Sequence, residues 1–343
     1  MKILVTGGAG YLGSVLVPKL LARGHQIRVV DMGYFGLGHM RSLRVPVELI
    51  REDVCRAASD SRIAAQWLDG CDAVIHLAAI SNDPSAELNP DLTERVNVRA
   101  TIALAEAARE RGLRFVFSSS CSVYGEAEGE IDEDGVVNPL TTYAVTKVQA
   151  ERALRDMAGD GWSPVILRNG TLFGYSPRMR FDLVINIFAL YSTLYNEIKV
   201  FAGGEHWRPF LHVSDCARAF VFCTEQREVR HLCYNVAHEN LRVVDVAEIF
   251  RTLNPNLRVV DLEGMEADRR DYRVSTCRLN NEGFVTRVNA GTGAESMMEA
   301  IISGLIPDPE SIFYRNAKWL KELTHIGEKD HREVMGLIEA WHR

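Results

Sequence analysis

The stretch "KILVTGGAGYLGSVLVPKLLARGHQIRVVD", residues 2–31, decides the fold of this 343-residue chain. Residues 3–5 are a short apolar run of the kind that forms a strand buried on both faces of a parallel sheet. Apolar residues then recur at helical spacing, and Gly24 is well placed to end this helix in the left-handed conformation. A second apolar run at residues 27–30 ends at Asp31. The stretch therefore predicts a strand, a helix and a second strand, with a glycine-rich turn after the first strand.

The glycines of that turn predict a dinucleotide site. Gly7 permits a tight turn off the strand, Gly10 lets a pyrophosphate approach the backbone, and Gly13 lets the helix pack closely on the sheet. Free backbone N–H groups and the positive end of the helix then face the phosphates. A carboxylate at Asp31 would accept hydrogen bonds from both adenosine ribose hydroxyls and repel a 2′-phosphate, which predicts NAD rather than NADP. The alternative is that Asp31 only opens a turn.

Strands and helices continue to alternate along the first half of the chain. Strands are predicted at residues 47–50, 72–79, 114–120 and 164–170, with a helix at residues 96–111. Repeated strand–helix units predict an α/β fold with a doubly wound parallel (Rossmann) sheet and right-handed crossovers.

The second half of the chain is less regular. We expect residues 1–174 to form the dinucleotide-binding domain and residues 175–343 to form mainly a smaller mixed lobe that binds the substrate. Residues 210–237 are expected to return to the sheet. The last 25 or so residues, from about Lys318, are charged and helical in pattern, and no function is assigned to them.

Composition excludes several classes of protein. The net charge is −7 and no basic block is present, so a nucleic-acid partner is not expected. Seven dispersed cysteines without a Cys-x-x-Cys pair favour reduced thiols, and the histidines show no metal-ligand spacing, so no metal site is expected. No apolar run reaches the ~18 residues that cross a membrane. We expect a soluble cytoplasmic protein.

One pair of residues predicts proton-transfer chemistry. Tyr143 and Lys147 are four residues apart and share one face of a helix. The ammonium is expected to lower the pKa of the phenol from ~10 toward neutrality, so that the phenol can take and return a hydroxyl proton. Ser120 ends a predicted parallel strand, where its hydroxyl could hold the same substrate oxygen. For a Tyr-x-x-x-Lys pair alone, a surface helix is the alternative.

Three motifs together resemble one family. The sequence T-G-x-x-G-x-x-G at residues 6–13, "SSSCSVYG" at residues 118–125 and "YAVTK" at residues 143–147 are similar to the extended short-chain dehydrogenases/reductases, the NAD-dependent nucleotide-sugar epimerases and dehydratases. The resemblance covers about the first 280 residues. It implies that Tyr143 is the base, that Lys147 also holds the nicotinamide ribose, and that the chain forms a homodimer through two of its helices, residues 96–111 and 143–157.

The resemblance also implies the residues that contact NAD. Asp53 and Val54 would meet the adenine, and Asn97 would steady the loop beneath the cofactor. The full expected set is Gly7, Gly10, Tyr11, Leu12, Gly13, Asp31, Asp53, Val54, Leu77, Ala78, Ala79, Asn97, Ser118, Tyr143 and Lys147.

The substrate would be a nucleotide-diphosphate sugar. The segment "RPFLHVSD", residues 208–215, resembles the family segment whose arginine grips the diphosphate, so Arg208 inherits that role, with Arg269 or Arg270 as a second arginine. Two guanidinium groups can hold a diphosphate without a metal, although surface salt bridges are the alternative for both positions. The full expected substrate set is Ser81, Ser120, Cys121, Asn169, Thr171, Arg178, Arg180, Arg208, Arg269 and Arg270.

The chain departs from the family pattern at three positions. Thr171 stands where many relatives carry an asparagine that touches the diphosphate, and Asn169 is expected to compensate. Dehydratases that remove water across C4 to C6 carry Asp-Glu directly after the catalytic hydroxyl, whereas this chain has Cys121 and Ser122. Cys121 is a candidate proton carrier of C3 or C5 epimerases, although their cysteine aligns with Ser122 and a buried inert thiol is the alternative.

The sequence therefore favours an NAD-dependent nucleotide-sugar epimerase that acts by transient oxidation at C4. Three other reactions share the first step and remain alternatives. They are dehydration, oxidation with decarboxylation, and C3 or C5 epimerisation with a cysteine. A non-catalytic NAD-binding protein is a more distant alternative. The sequence does not say which nucleotide or sugar is bound.

Overall fold

A computed structural model describes residues 1–226, 230–262 and 269–327 of the chain. The described strands are β1 (Lys2–Thr6), β2 (Gln26–Asp31), β3 (Glu48–Arg51), β4 (Ala73–His76), β5 (Arg114–Ser120), β6 (Glu126–Ile131), β7 (Val165–Asn169), β8 (Thr171–Phe173), β9 (Glu197–Phe201), β10 (Trp207–His212), β11 (Cys233–Val236), β12 (Glu239–Arg242), β13 (Arg258–Leu262) and β14 (Asp271–Val274).

Helices connect and follow these strands. The described α-helices are α1 (Gly13–Ala22), α2 (Gly38–Arg41), α3 (Cys55–Ser59), α4 (Ser61–Leu68), α5 (Asp83–Ala86), α6 (Pro90–Glu94), α7 (Ala100–Glu110), α8 (Thr142–Met157), α9 (Val184–Tyr195), α10 (Val213–Glu225), α11 (Val243–Leu253), α12 (Cys277–Asn281), α13 (Ala290–Ile302) and α14 (Asn316–Gly327). A π-helical turn, Arg95–Arg99, precedes α7.

Seven parallel strands form the central sheet, in the order β11-β7-β5-β4-β1-β2-β3. The order reverses direction beside β1, and helices cover both faces, which confirms the predicted doubly wound Rossmann sheet. Ile3 and Val5 pack into the core on one face of β1, while Leu4 packs into the core on the other. All three side chains are fully buried because β1 lies in the middle of the sheet.

The later half of the chain leaves the central sheet and rejoins it. Within residues 210–237, only β11 pairs in the central sheet, where it lies beside β7, whereas β10 pairs with β8 and β12 in a separate three-stranded sheet. Between these strands, α10 packs against α1. The second lobe is therefore built from residues on both sides of β11, because β12 pairs with β10 and β13 pairs with β9.

After α13 the chain returns to the first domain. Trp319 and Leu323 of α14 are buried, and they pack with Phe313 against Tyr34 and Phe35 in the loop after β2. The chain beyond residue 327, which includes most of the charged segment to which no function was assigned, lies outside the described residues. Within the described part of the chain, no helix has the length and apolarity needed to cross a bilayer.

Candidate active site

The largest concentration of predicted site residues surrounds one cavity. This first cavity has a volume of about 690 Å³ and lies at the carboxyl ends of β1, β2, β4, β5 and β7. The loops that follow these strands supply its walls. Ligands of open α/β sheets bind at this edge, where the strand order reverses.

The glycine turn after β1 forms one wall of the first cavity. Gly7 has φ +69°, and a Cβ there would lie 2.7 Å from the Ala78 nitrogen. A Cβ at Gly13 would lie 2.5 Å from the Gly8 carbonyl oxygen, so both positions require glycine. Around Gly10 a Cβ would meet only the Gly7 oxygen, at 3.2 Å. This open backbone, at the start of α1, fits a pyrophosphate.

Asp31 is joined to the glycine turn by hydrogen bonds. Its carboxylate accepts the backbone N–H groups of Ala9, at 3.0 Å, and Gly33, at 2.8 Å. Burial raises the pKa of this carboxyl, while the two backbone hydrogen bonds oppose that rise. A carboxylate has about four lone-pair sites, so acceptor capacity remains on the cavity side for ribose hydroxyls. The residues present therefore fit a dinucleotide.

Most of the other expected cofactor residues line the same cavity, in a list that comprises Tyr11, Leu12, Asp53, Val54, Leu77, Ala78, Ala79 and Ser118. Asn97 is not among the lining residues. From the π-helical turn, its side chain accepts the Ile80 N–H at 2.9 Å and donates to the Ile80 carbonyl at 3.2 Å. Asn97 therefore fixes the loop after β4 from below.

Ser120, Tyr143 and Lys147 converge at the carboxyl end of β5. Ser120 is the last residue of β5, and its hydroxyl lies close enough to the Tyr143 hydroxyl to favour the ionised phenol. The Thr141 side chain caps α8 by accepting the Ala144 N–H, which sets Tyr143 in the first turn of the helix. One turn later, the Lys147 ammonium donates to the Ser118 carbonyl at 2.8 Å and lies 5.7 Å from the centre of the Tyr143 ring.

The predicted lowering of the Tyr143 pKa is wrong. Burial raises the pKa of Tyr143 to about 12, and the negative charge of Asp83 adds to that rise. Burial also lowers the pKa of Lys147 to about 7, although Glu151 favours its charged form. Both groups lose hydration, which disfavours their charged forms, and the Lys147 ammonium is directed to a carbonyl rather than to the phenol.

The structure does not bring Cys121 to the first cavity, contrary to its predicted substrate contact. Cys121 is 1% exposed, and its thiol donates to the Arg168 carbonyl at 3.1 Å. Burial raises the pKa of this thiol well above its usual range. The next residue, Ser122, lines the cavity instead. Cys121 turns away because it follows β5 by one residue, and neighbouring side chains there point in different directions.

Four of the five predicted arginines line the first cavity, namely Arg178, Arg180, Arg208 and Arg270. Arg270 pairs with Asp83 at 2.7 Å, and Arg180 pairs with Asp182 at 2.9 Å. Both arginines therefore enter the cavity as members of ion pairs.

Arg269 and Arg178 differ from their predicted roles. Arg269 is exposed and lines neither cavity described in this section, so of the two alternatives the structure places Arg270 at the site. Arg178 lies at the cofactor end rather than the sugar end. Its guanidinium stacks over the Phe35 ring at 3.6 Å and donates to Asn316 at 2.5 Å. Burial lowers the pKa of Arg178 to about 9.

The remaining predicted substrate residues line the first cavity: Ser81, Asn169 and Thr171. Asn169 is already engaged, because its amide donates to the Ser118 hydroxyl at 3.1 Å and to the Ser119 carbonyl at 3.2 Å. Its amide therefore fixes the end of β5 and is not free to replace the missing asparagine at residue 171.

Sequence reasoning missed three polar residues at the site. Asn82, Asp83 and Asp182 line the first cavity. Asn82 has a positive φ of 95°, uncommon for a residue other than glycine, and donates to the Asp182 carboxylate at 2.7 Å. The polar run "ISNDPS", directly after the predicted strand at 72–79, was the available signal for two of them.

A second cavity adjoins the first. It has a volume of about 780 Å³ and is lined by aromatic and aliphatic side chains of α9 and β9, among them Phe188, Tyr191 and Phe201. Arg208 and Val184 line both cavities. Arg208 is 6% exposed and donates to the carbonyl of Arg270. A cationic residue is thus shared by the two cavities.

Comparison with known proteins agrees with this geometry. Residues 3–237 match the model of the NAD dependent epimerase/dehydratase family. A UDP-glucose 4-epimerase of Corynebacterium glutamicum is 29% identical over 270 residues, 73% of this chain and 80% of that protein. UDP-glucuronic acid decarboxylase 1 of Arabidopsis thaliana is 32% identical over 243 residues, 67% of this chain and 53% of that protein.

A solved structure has the same fold over most of the chain. MoeE5 in complex with UDP-glucuronic acid and NAD superposes with a TM-score of 0.75 at 29% identity, and covers 89% of this chain and 100% of MoeE5.

Proposed function

The chain belongs to the NAD-dependent epimerase/dehydratase family, and from that premise we propose that it inverts C4 of a nucleotide-diphosphate sugar by transient oxidation. It is an NAD-dependent enzyme of the epimerase and dehydratase class. One observation carries the proposal: the cavity that contains the glycine turn and Asp31 is also lined by Tyr143 and Ser120.

We place different parts of the substrate in the two cavities. Arg208 lines both of them, so we place the diphosphate against its guanidinium, which forms bidentate contacts with phosphate oxygens. The nucleoside then occupies the mainly apolar second cavity, where Tyr191 and Phe201 offer ring surfaces. The sugar extends toward Tyr143 in the first cavity. The relatives named above act on UDP-linked sugars, which supports uridine as the nucleoside.

The residues of the chain hold and transfer the proton of the sugar hydroxyl. When bound, NAD supplies the acceptor and donor of hydride for the sugar carbon. Ser120 orients the sugar hydroxyl and Tyr143 removes its proton, because both residues line the cavity and Ser120 favours the ionised form of the phenol. Arg180 and Arg270 place positive charge near the phenol, which opposes the effect of burial on its pKa. Removal of Asp83, which raises that pKa, would favour the ionised phenol further.

Product analysis of a substrate panel tests this function. We expect incubation with UDP-sugars and NAD in deuterated water to give a C4 epimer without solvent deuterium on the ring, as detected by NMR. Tyr143→Phe is expected to reduce turnover at least about 10²-fold and to leave NAD bound. The matched control is Tyr175→Phe, because Tyr175 lines neither cavity. Ring deuterium in the product, or full activity of Tyr143→Phe, would contradict the proposal.

Oxidation with decarboxylation is the second candidate. The likeness to UDP-glucuronic acid decarboxylase 1 favours it. The same panel separates the two reactions, since a decarboxylase converts a hexuronic acid substrate to a pentose and releases carbon dioxide. Loss of mass from UDP-glucuronic acid, without C4 inversion, would replace the leading candidate with this one.

We also propose that the protein is a homodimer through α7 and α8. These helices pack side by side, and Val145 of α8 presents an apolar side chain that is 39% exposed. Sedimentation analysis is expected to give a dimer, which Val145→Glu shifts toward the monomer. A monomer at micromolar concentration would contradict this part of the proposal.

We propose a cytoplasmic location because the thiols suit a reducing compartment. All seven cysteines are free, and five of them are buried, namely Cys71, Cys121, Cys216, Cys223 and Cys233. Cell fractionation with an antibody against the chain tests the location, and recovery outside the cytoplasmic fraction would contradict it.

A further inference from the structure

A segment outside the family match covers the cofactor end of the first cavity. This covering segment comprises residues 311–323, the short 3₁₀ turn Ile312–Tyr314 and most of α14. The family model ends at residue 237, so the family pattern does not account for it. Arg315, Asn316, Ala317 and Lys318 line the first cavity beside the glycine turn.

One side of the covering segment is fixed to the loop after β2. The Trp319 indole N–H donates to the Tyr34 carbonyl at 2.7 Å. The Phe313 ring lies 6.3 Å from the ring of Phe35 and 5.4 Å from that of Trp319, both edge to face. Trp319 is 5% exposed. Buried aromatic rings supply most of the stabilising contact area here.

The other side is fixed to the loop after β4 and to the loop before α9. Asn316 is 4% exposed and accepts a hydrogen bond from Arg178 at 2.5 Å. The Asn316 backbone N–H donates to Asp182 at 3.3 Å, and its side-chain amide approaches the Ser81 hydroxyl at 3.5 Å. Asn316 therefore joins the loop after β4 to the loop before α9.

The sheet order shows what lies under this connection. β1 lies between β4 and β2, so the glycine turn after β1 lies between the two loops that the covering segment joins. A dinucleotide bound at that turn would lie beneath the segment. Arg315 and Lys318 are among the residues that line the cavity, and their positive charge favours an anionic ligand there.

We propose that residues 311–323 form the outer wall of the dinucleotide site and retain NAD, so that the cofactor leaves only when this segment lifts from the loops after β2 and β4. The inference rests on the proposed function, because NAD is the ligand that it encloses. Retention suits a reaction in which the cofactor is regenerated within each cycle and need not leave. The wall also gives Arg178 its position, since Phe35 and Asn316 hold its guanidinium between them.

The rate of NAD release tests the wall. The full-length chain is loaded with labelled NAD, chased with unlabelled NAD and filtered at intervals. Trp319→Ala is expected to release NAD about tenfold faster than the natural chain, a factor that corresponds to roughly 1.4 kcal/mol. Glu299→Ala, an exposed position on α13 outside the covering segment, is the matched control and is expected to release NAD at the natural rate. A Trp319→Ala rate within about twofold of the natural rate overturns the inference.

Hydrogen exchange of the unmodified chain gives a second test that does not depend on a variant. NAD is expected to slow amide exchange both in the glycine turn, residues 6–13, and in residues 311–323. Protection of the glycine turn alone would contradict the role of residues 311–323 as a wall of the NAD site. It would leave the proposed function intact. Absence of protection at both places shows that NAD is not bound there, and contradicts the proposed function itself.

Discussion

Replacing Lys147 with methionine is expected to stabilise the fold near neutral pH while it removes activity. Lys147 is 2% exposed, and burial lowers its pKa from 10.5 to about 7. Between these two values the unfolded chain binds a proton that the folded chain does not. Stability therefore rises with pH across this window, and the cost of the buried ammonium is fully present below pH 7. Methionine has a similar length and carries no titratable group.

The size of the change in the free energy of unfolding follows from the pKa shift of Lys147. Linkage with these two pKa values gives a cost of about 4 kcal/mol at pH 7, which falls to about 2 kcal/mol at pH 9. The hydrogen bond from Lys147 to the Ser118 carbonyl is lost in the variant, and this offsets the gain by about 1 kcal/mol. Lys147→Met is therefore expected to be more stable than the natural chain by about 3 kcal/mol at pH 7 and about 1 kcal/mol at pH 9.

Urea unfolding of both chains at pH 7, 8 and 9, followed by tryptophan fluorescence, measures this difference. The matched control is Lys199→Met, because the Lys199 side chain is 53% exposed. Its stability relative to the natural chain is expected to stay constant across that range. A Lys147→Met difference that does not change between pH 7 and pH 9 would refute the reasoning, and so would a less stable variant at pH 7. Loss of turnover together with a gain of stability would show that Lys147 is kept for chemistry.

Three further predictions concern the packing around the site. Glu151→Gln leaves the buried Arg168, which pairs with Glu151 at 2.6 Å, without its counter-charge, so urea unfolding is expected to show a loss of about 3–5 kcal/mol; a loss below about 1 kcal/mol would contradict this account. Asp31→Asn is expected to bind NADP more tightly relative to NAD, by about tenfold in titration calorimetry, because the repulsion of a 2′-phosphate is gone; an unchanged ratio would count against the assigned ribose contact. Gly13→Ala places a methyl group 2.5 Å from the Gly8 oxygen, so NAD affinity is expected to fall at least about tenfold, and wild-type affinity would show that the turn adapts.

The central sheet could be predicted from sequence because its signals are local. The glycines at residues 7, 10 and 13 and the acid at residue 31 lie within one strand–helix–strand unit, and each later strand is a short apolar run. The Tyr143–Lys147 spacing is likewise set by one turn of α8. Such features depend on helical and extended geometry alone, so they can be predicted without knowing which distant parts of the chain are in contact.

The parts that sequence could not predict depend on long-range contacts. Arg178 was expected to face the sugar, but it bonds to Asn316, a residue 138 positions later. Choosing Arg270 over its neighbour Arg269 required the pairing of β14 with β6, which brings residue 270 beside Asp83. The pKa of Tyr143 depends on how deeply the phenol is buried, and spacing along a helix carries no information about depth.

The position of β11 at the sheet edge has a consequence for biosynthesis. The outer edge of β7 receives its hydrogen-bonding partner only when residues 233–236 have emerged from the ribosome. Until then β7 (Val165–Asn169), which is buried on both faces in the finished protein, is the edge strand of the sheet. Its unpaired N–H and C=O groups can pair with a strand of another chain. A nascent chain that stalls before residue 233 therefore exposes an unpaired strand edge that favours aggregation, and the pairing of β11 with β7 removes this edge.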